Sequence, residues 1–264
     1  MKTQEELVSL LQLPHFLKLV DLITDLLIPD TKVSGFLLLL GLKCQIWCGK
    51  IENKGEIMMI KVTLLGDSIR ALGYGTLVPE LLGDDFEVYQ PNDNCRFAKY
   101  TLRGLFDWKP AMEGTRIVHW NNGLWDICDL FGDGAFTSEE EYVDNMLRIA
   151  DILIAHYDKV IFATTTPVTE RNEYNKNSVI ERYNNLIVPL LEKKGVIIND
   201  LYGLLSKDID KYIRQDDNIH LSEAGTKVCS RQIADIIRKV SETLSVKNPD
   251  SSISVKETLT GLPV

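Results

Sequence analysis

The stretch Ile60-Lys61-Val62-Thr63-Leu64-Leu65-Gly66-Asp67-Ser68-Ile69 decides how the chain is read. Apolar and β-branched residues run from Ile60 to Leu65 and stop at Gly66. Such a run, closed by a glycine, predicts a buried strand that ends on a tight turn. Ser68 then stands where the chain leaves the sheet. In an open α/β sheet the carboxyl ends of the strands border the crevice in which ligands bind. Ser68 is therefore the first candidate for chemistry and is read as a nucleophile.

Outward from this stretch the pattern stays regular. Strands are predicted at 60–65, 86–89, 116–120, 159–164 and 196–198. Helices are predicted at 71–82, 97–108, 138–156, 177–194 and from about 222 to 244. Gly73, Gly75 and Pro79 fall inside the first of these helices. Ser138-Glu139-Glu140-Glu141 reads as a capping box, and Ser222-Glu223 opens the last helix in a similar way. Alternating strands and helices imply βαβ units. The expected fold is α/β, a three-layer α/β/α sandwich with about five parallel strands.

Residues 1–57 have a different character. Leu7, Leu10, Leu11, Phe16, Val20, Ile23 and Leu27 recur at helical spacing, punctuated by Pro14 and Pro29. This predicts an N-terminal helical extension without an assignable function; an alternative is that the natural chain starts at Met58 or Met59. The main domain is expected over 58–245. Residues 246–264 are polar and aperiodic and read as a flexible tail.

The 264 residues are 45% hydrophobic and 25% charged, enough for a sizeable core. A formal charge of −9 argues against a nucleic-acid surface, which needs a basic stripe. Cys44, Cys48, Cys95, Cys128 and Cys229 form neither a disulfide framework nor a zinc site and are expected to be free thiols. The apolar run 36–42 is too short to span a bilayer, and no leader is convincing. A cytoplasmic protein without metal or cofactor is expected, its oligomeric state open.

A serine hydroxyl is a weak nucleophile at neutral pH; it needs an imidazole as base and a third group to orient that imidazole. Four histidines are available. His15 lies in the N-terminal segment, His156 ends a helix, and His119 sits inside a strand and reads as a core residue. His220 stands in Asp216-Asp217-Asn218-Ile219-His220-Leu221-Ser222, after the last strand and before the last helix. Asp217, three residues earlier, can hold the imidazole from the same short loop, with Asp216 in reserve.

With these residues in place, the chain from about residue 60 to 244 resembles the SGNH (GDSL-like) hydrolases. Gly66-Asp67-Ser68 matches that family's first block and Asp217-Asn218-Ile219-His220 its last. The resemblance implies a flavodoxin-like sandwich and a serine esterase or acylhydrolase with Ser68 as nucleophile, His220 as base and Asp217 as its orienting acid. It also implies an oxyanion hole. The backbone N–H of Ser68 and that of Ala98, which stands where the family has glycine, would contribute. In His119-Trp120-Asn121-Asn122-Gly123-Leu124-Trp125-Asp126, a departure from the usual Gly-x-Asn-Asp, Asn121 would supply the amide, with Asn122 in reserve. Asp67 is expected to brace the turn. Arg70, Arg96 and Trp125 are candidate substrate contacts, the substrate being a small-molecule or carbohydrate ester. The alternatives are an acyltransferase with the same triad and an inactive binding module. A flavodoxin-like nucleotide binder fits the alternation but lacks a glycine-rich phosphate loop after the first strand.

Overall fold

A computed structural model describes residues 59–244. The expected N-terminal extension, the tail over 246–264, His15, Cys44 and Cys48 lie outside the described residues. In chain order the elements are β1 (Ile60–Leu65), α1 (Val78–Leu82), β2 (Phe86–Tyr89), α2 (Ala98–Trp108), β3 (Ile117–Trp120), α3 (Leu124–Ile127) and α4 (Glu139–His156). They continue with β4 (Lys159–Ala163), α5 (Asn177–Lys193), β5 (Ile197–Asn199), α6 (Leu201–Leu205), α7 (Ile209–Tyr212) and α8 (Glu223–Ser241).

The strands form one sheet in the order β2-β1-β3-β4-β5, and every neighbouring pair is parallel. The central strands explain why their sequences read as unbroken apolar runs. Val62, Leu64, Leu65, Ile117, Val118, Trp120, Ile161 and Phe162 are all buried, because helices cover both faces of a parallel sheet. α1 and α8 pack together, and α4 packs against both α2 and α5. Right-handed crossovers put the first pair on one face and the other three on the opposite face, since the chain moves one way from β1 to β2 and the other way from β2 through β5.

That reversal positions the site. The chain leaves β1 toward β2 on one side, while β3 pairs with β1 on the other. Beyond the carboxyl ends of β1 and β3 the connections diverge and open a crevice, the switch point at which such sheets bind ligands. Leu65 pairs with Trp120 in register, so the turns that begin at Gly66 and Asn121 lie side by side.

Strand boundaries shift by a residue or so from the reading above. The larger correction concerns the predicted helix at 71–82. The chain instead makes a π-helical turn (Ile69–Gly73), a 3₁₀ turn (Tyr74–Thr76) and only then α1. Glycine at 73 and 75 weakens a regular helix, and Pro79 is tolerated only near a helix start, where it lies. α3, α6 and α7 are too short to carry a readable period. The expected caps form: Ser138 Oγ accepts from the N–H of Glu141 (3.2 Å) and Ser222 Oγ from that of Gly225 (3.1 Å).

Trp120 and Phe162 are register partners on β3 and β4, with ring centroids 4.8 Å apart and no exposed surface. Phe162→Ala would leave a cavity between the central strands and is expected to cost about 3–5 kcal/mol. Urea unfolding should show a lower midpoint at an unchanged slope.

Candidate active site

The turn after β1 closes on Asp67. Its backbone carbonyl accepts from the N–H groups of Arg70 (3.1 Å) and Ala71 (3.0 Å), and its Oδ1 accepts from the N–H of Ile69 (2.9 Å). These bonds fix the backbone on either side of Ser68, which stays partly exposed at the crevice. Arg70, a candidate for substrate contact, is buried instead. It donates from Nε to Gly66 O (3.2 Å), from Nη1 to Gln90 Oε1 (3.2 Å) and from Nη2 to Asp93 O (2.7 Å). It clamps the β1 turn to the segment after β2. Burial pushes the Asp67 carboxyl above the ordinary carboxylate range; the Ile69 N–H, the Asn121 amide and the charge of Arg70 oppose that push.

The loop before α8 supplies the other half. Ser68 Oγ lies 2.8 Å from His220 Nε2, and His220 Nδ1 lies 3.0 Å from Asp217 Oδ2. Asp217 Oδ1 also accepts from the N–H groups of Ile219 (3.1 Å) and His220 (3.0 Å), so the carboxylate fixes both the loop backbone and the ring it carries. Burial pushes the Asp217 carboxyl up, but those N–H groups and the imidazole outweigh it and leave it below the ordinary value. Asp216 is engaged elsewhere: it holds the Arg214 guanidinium through both of its oxygens.

Neighbouring loops tie the 214–220 segment down. Asn218 takes a positive φ of 63°, a conformation asparagine tolerates better than most residues. Its carbonyl accepts from the N–H of Thr169 (3.1 Å) and from Asn172 Nδ2 (3.3 Å), and Thr169 Oγ1 donates to its Oδ1 (2.7 Å). The N–H of Arg214 donates to His220 O (2.8 Å). The arrangement brings a hydroxyl, an imidazole and a carboxylate into one hydrogen-bonded line, which can take a proton from the hydroxyl and hold the resulting cation.

The loops after β2 and β3 form the opposite wall. Ala98 opens α2, and its N–H donates to both oxygens of Asp126 (3.1 and 3.0 Å). Asn122 is built into the wall at both ends: Trp120 Nε1 donates to its Oδ1 (2.9 Å), and its Nδ2 donates to Arg96 O (2.8 Å). Asn121 is held differently. Its Oδ1 accepts from the Tyr74 hydroxyl (2.6 Å), and its Nδ2 donates to Asp67 Oδ1 over 3.3 Å. Gly66 makes room for this, since a Cβ there would fall 2.0 Å from Asn121 Oδ1. Arg96 is exposed at a φ of 49°, with its guanidinium 4.7 Å from the Tyr100 ring centre. Trp125, in the short helix α3, is 41% exposed.

Of the remaining histidines, His119 is wholly buried with Nε2 3.1 Å from Asn199 Nδ2, and burial lowers its pKa to about 3. His156 ends α4, exposed. Cys95, Cys128 and Cys229, the cysteines among the described residues, are buried free thiols. Cys95 Sγ accepts from the N–H of Gly66 (3.1 Å), and its own N–H donates to Gly66 O (3.1 Å), tying the β2 connection to the turn that carries Ser68. Two residues of the site carried no assigned role in the sequence. Tyr74 falls inside a stretch that reads as helix, and Asp126 only closes the segment that departs from Gly-x-Asn-Asp. Glycines at 73 and 75 around a tyrosine were the one available hint at the first.

Gly66→Ala would drive a methyl group into Asn121 Oδ1 and within 2.9 Å of Arg70 Cβ. The variant is expected to lose about 1–3 kcal/mol, seen as a lower urea midpoint; an unchanged midpoint would mean that Asn121 yields freely. Asp126 supports a second expectation. Burial raises its pKa to about 7, against lowering contributions from the Ala98 N–H and the Thr137 side chain. Between the ordinary carboxylate pKa and about 7, the folded state keeps a proton that the unfolded state has released. Stability from this group therefore falls as pH rises through that window. Asp126→Asn should flatten that slope in urea titrations taken from pH 4 to 8.

No family model matches the chain. A GDSL esterase/lipase of Oryza sativa subsp. japonica is 28% identical over 175 residues, 55% of this chain and 67% of that protein. Among solved structures, an acetyl xylan esterase superposes with a TM-score of 0.58 at 20% identity, over 67% of this chain and all of that one. A lipase/acylhydrolase from Enterococcus faecalis gives a TM-score of 0.58 at 18% identity, over 69% of this chain and 97% of that one. At such identities the structural likeness is one of fold.

Proposed function

We propose that this chain, which has the fold of the SGNH/GDSL-like hydrolases and resembles a GDSL esterase/lipase in sequence, hydrolyses carboxylic esters through an acyl-enzyme on Ser68. The observation that carries the reading is the unbroken line from Ser68 Oγ through the His220 ring to Asp217, with links of 2.8 and 3.0 Å. Ser68 Oγ attacks the ester carbonyl while His220 Nε2 takes its proton. Asp217 keeps the proton of the neutral ring on Nδ1 and stabilises the imidazolium that forms. The tetrahedral intermediate collapses, the C–O bond to the alcohol breaks, and His220 returns the proton to the leaving oxygen. Water then repeats the sequence on the acyl-serine and releases the acid.

The oxyanion needs donors that already point at it. Among the described residues the N–H of Ser68 has no hydrogen-bond acceptor, and the Asn121 amide keeps one hydrogen beyond the one given to Asp67. These two are the donors in our reading. Ala98 enters it differently from what the resemblance implies, because its N–H is already bound by Asp126. The N–H of Phe97, one residue earlier on the same loop, has no acceptor among the described residues, and we assign it that place.

Arg96 and Trp125 are both exposed on the wall formed by the β2 and β3 connections, and we assign them to the alcohol portion of the substrate. Arg70 has no part in that contact, since three acceptors occupy its guanidinium. A small-molecule or carbohydrate ester suits a partly exposed serine at an open crevice. Among the described residues no helix is long and apolar enough to cross a membrane.

Ser68→Ala is expected to lower kcat on p-nitrophenyl acetate by at least ~10³-fold while the circular dichroism spectrum and unfolding midpoint stay those of the parent. Undiminished turnover would remove the mechanism. A parallel screen of acetyl, butyryl and longer esters with acetylated xylo-oligosaccharides would locate the substrate class.

A further inference from the structure

We propose that Tyr74 is a positioning residue for catalysis: its hydroxyl fixes which way the Asn121 amide faces, so that Nδ2 rather than Oδ1 is presented to the developing oxyanion. The assignment rests on Asn121 acting as an oxyanion donor, as argued above.

The two ends of a primary amide have nearly the same shape but opposite hydrogen-bonding character. Turned one way, Asn121 stabilises an oxyanion; turned the other, it repels it. Only its hydrogen bonds choose between the two. On the nitrogen side the partner is Asp67 Oδ1, at a long 3.3 Å. On the oxygen side it is the Tyr74 hydroxyl, at 2.6 Å. The shorter bond is therefore the one that sets the orientation. The Tyr74 O–H has no other acceptor among the described residues, so a flipped amide would strand a buried donor. Asn122 is no substitute, since its amide bridges Trp120 and Arg96 and belongs to the frame of the wall.

Tyr74 itself is held in place from several sides. It is fully buried, and its ring meets His119 edge-on with centroids 5.6 Å apart. Its carbonyl accepts from Ser230 Oγ of α8 at 3.2 Å. The π turn of 69–73 and the 3₁₀ turn of 74–76 replace the regular helix that the segment could have made. Such turns concentrate at functional sites. A hydroxyl placed this rigidly also remains a donor at any assay pH, because burial pushes the Tyr74 phenol well above its ordinary pKa.

The test is Tyr74→Phe in the full chain, alone and combined with Asn121→Ala, assayed on p-nitrophenyl acetate. Losing an oxyanion donor outright costs ~10²–10³ in kcat, and an amide that spends most of its time misdirected should cost about tenfold. The expected result is a drop of that size in kcat with KM unchanged, and no further drop when Tyr74→Phe is added to Asn121→Ala. A merely structural tyrosine would give the same loss in both backgrounds, and that result, or full kcat in the single variant, overturns the proposal. Should Tyr74→Phe fail to fold, Asn121→Asp takes its place. It keeps the Tyr74 bond but offers the crevice an acceptor, and kcat must fall by ~10²–10³ at constant KM; an unchanged kcat overturns the assignment. Inactivity of the parent chain on every ester tested is a different failure, since it removes the esterase reading first.

Discussion

The site depends on a crowding constraint at the carboxyl end of β1. A side chain at position 66 would meet Asn121 at 2.0 Å, Arg70 at 2.9 Å and the Tyr74 hydroxyl at 3.0 Å. Three connections converge on this point: the turn to Ser68, the segment after β2 through Cys95, and the segment after β3 through Asn121. They can do so because β2 and β3 flank β1 in one parallel sheet, and because glycine leaves the space open. The fold thus supplies the divergence of loops that makes a crevice, and one missing Cβ supplies the close approach that makes its floor.

The floor is polar, and its polar groups are expensive to bury. Asp67, Arg70, Asn121, Asn122 and Asp126 all lie inside. Their cost is offset where each nitrogen finds an acceptor, as in the three acceptors around Arg70. Where partners are incomplete, ionisation shifts instead. Asp67 has one oxygen buried without a partner, and its carboxyl is raised. The groups in the candidate triad are the opposite case. Ser68, Asp217 and His220 are only partly buried, so water and substrate can reach them, and their geometry comes from hydrogen bonds rather than from packing. A rigid buried network thus lies below an accessible hydrogen-bonded line, and in the proposed reading the first positions what the second does.

Much of this was legible in the residues, for identifiable reasons. Central strands covered on both faces must be apolar throughout, so β1, β3 and β4 stand out as runs. Caps at Ser138 and Ser222 announce their helices because a short side chain there satisfies an orphan N–H. Ser68, Asp217 and His220 were singled out because a hydroxyl, an imidazole and a carboxylate each fell at a loop that a parallel sheet brings to one edge. What could not be read was orientation. Arg70 and Arg96 look alike in sequence, yet one guanidinium is buried among three acceptors and the other lies exposed over Tyr100. Asn121 and Asn122 are neighbours whose amides serve different partners, a difference set by Tyr74 and Trp120 at distant or adjacent positions. The helix expected over 71–82 is broken where Gly73, Gly75 and Pro79 weaken it, but which way the broken segment turns Tyr74 is set by contacts with distant residues such as Asn121 and Ser230.

The same contrast bears on the choice of carboxylate. Asp216 and Asp217 are adjacent, and either could reach a nearby imidazole by spacing alone. Arg214 Nε lies 2.9 Å from Asp216 Oδ1 but 3.4 Å from Asp217 Oδ2, the oxygen that faces the His220 ring. A cation drawn mainly to Asp216 leaves Asp217 free to accept from the imidazole while still favouring its ionised form. An arginine centred on Asp217 would compete for that oxygen and weaken its hold on the ring. The acidic pair thus divides its contacts, Asp216 taking the local cation and Asp217 the His220 ring. That division follows from chain direction, because Asp217 caps the backbone of the turn that carries His220 and Asp216 points out of it.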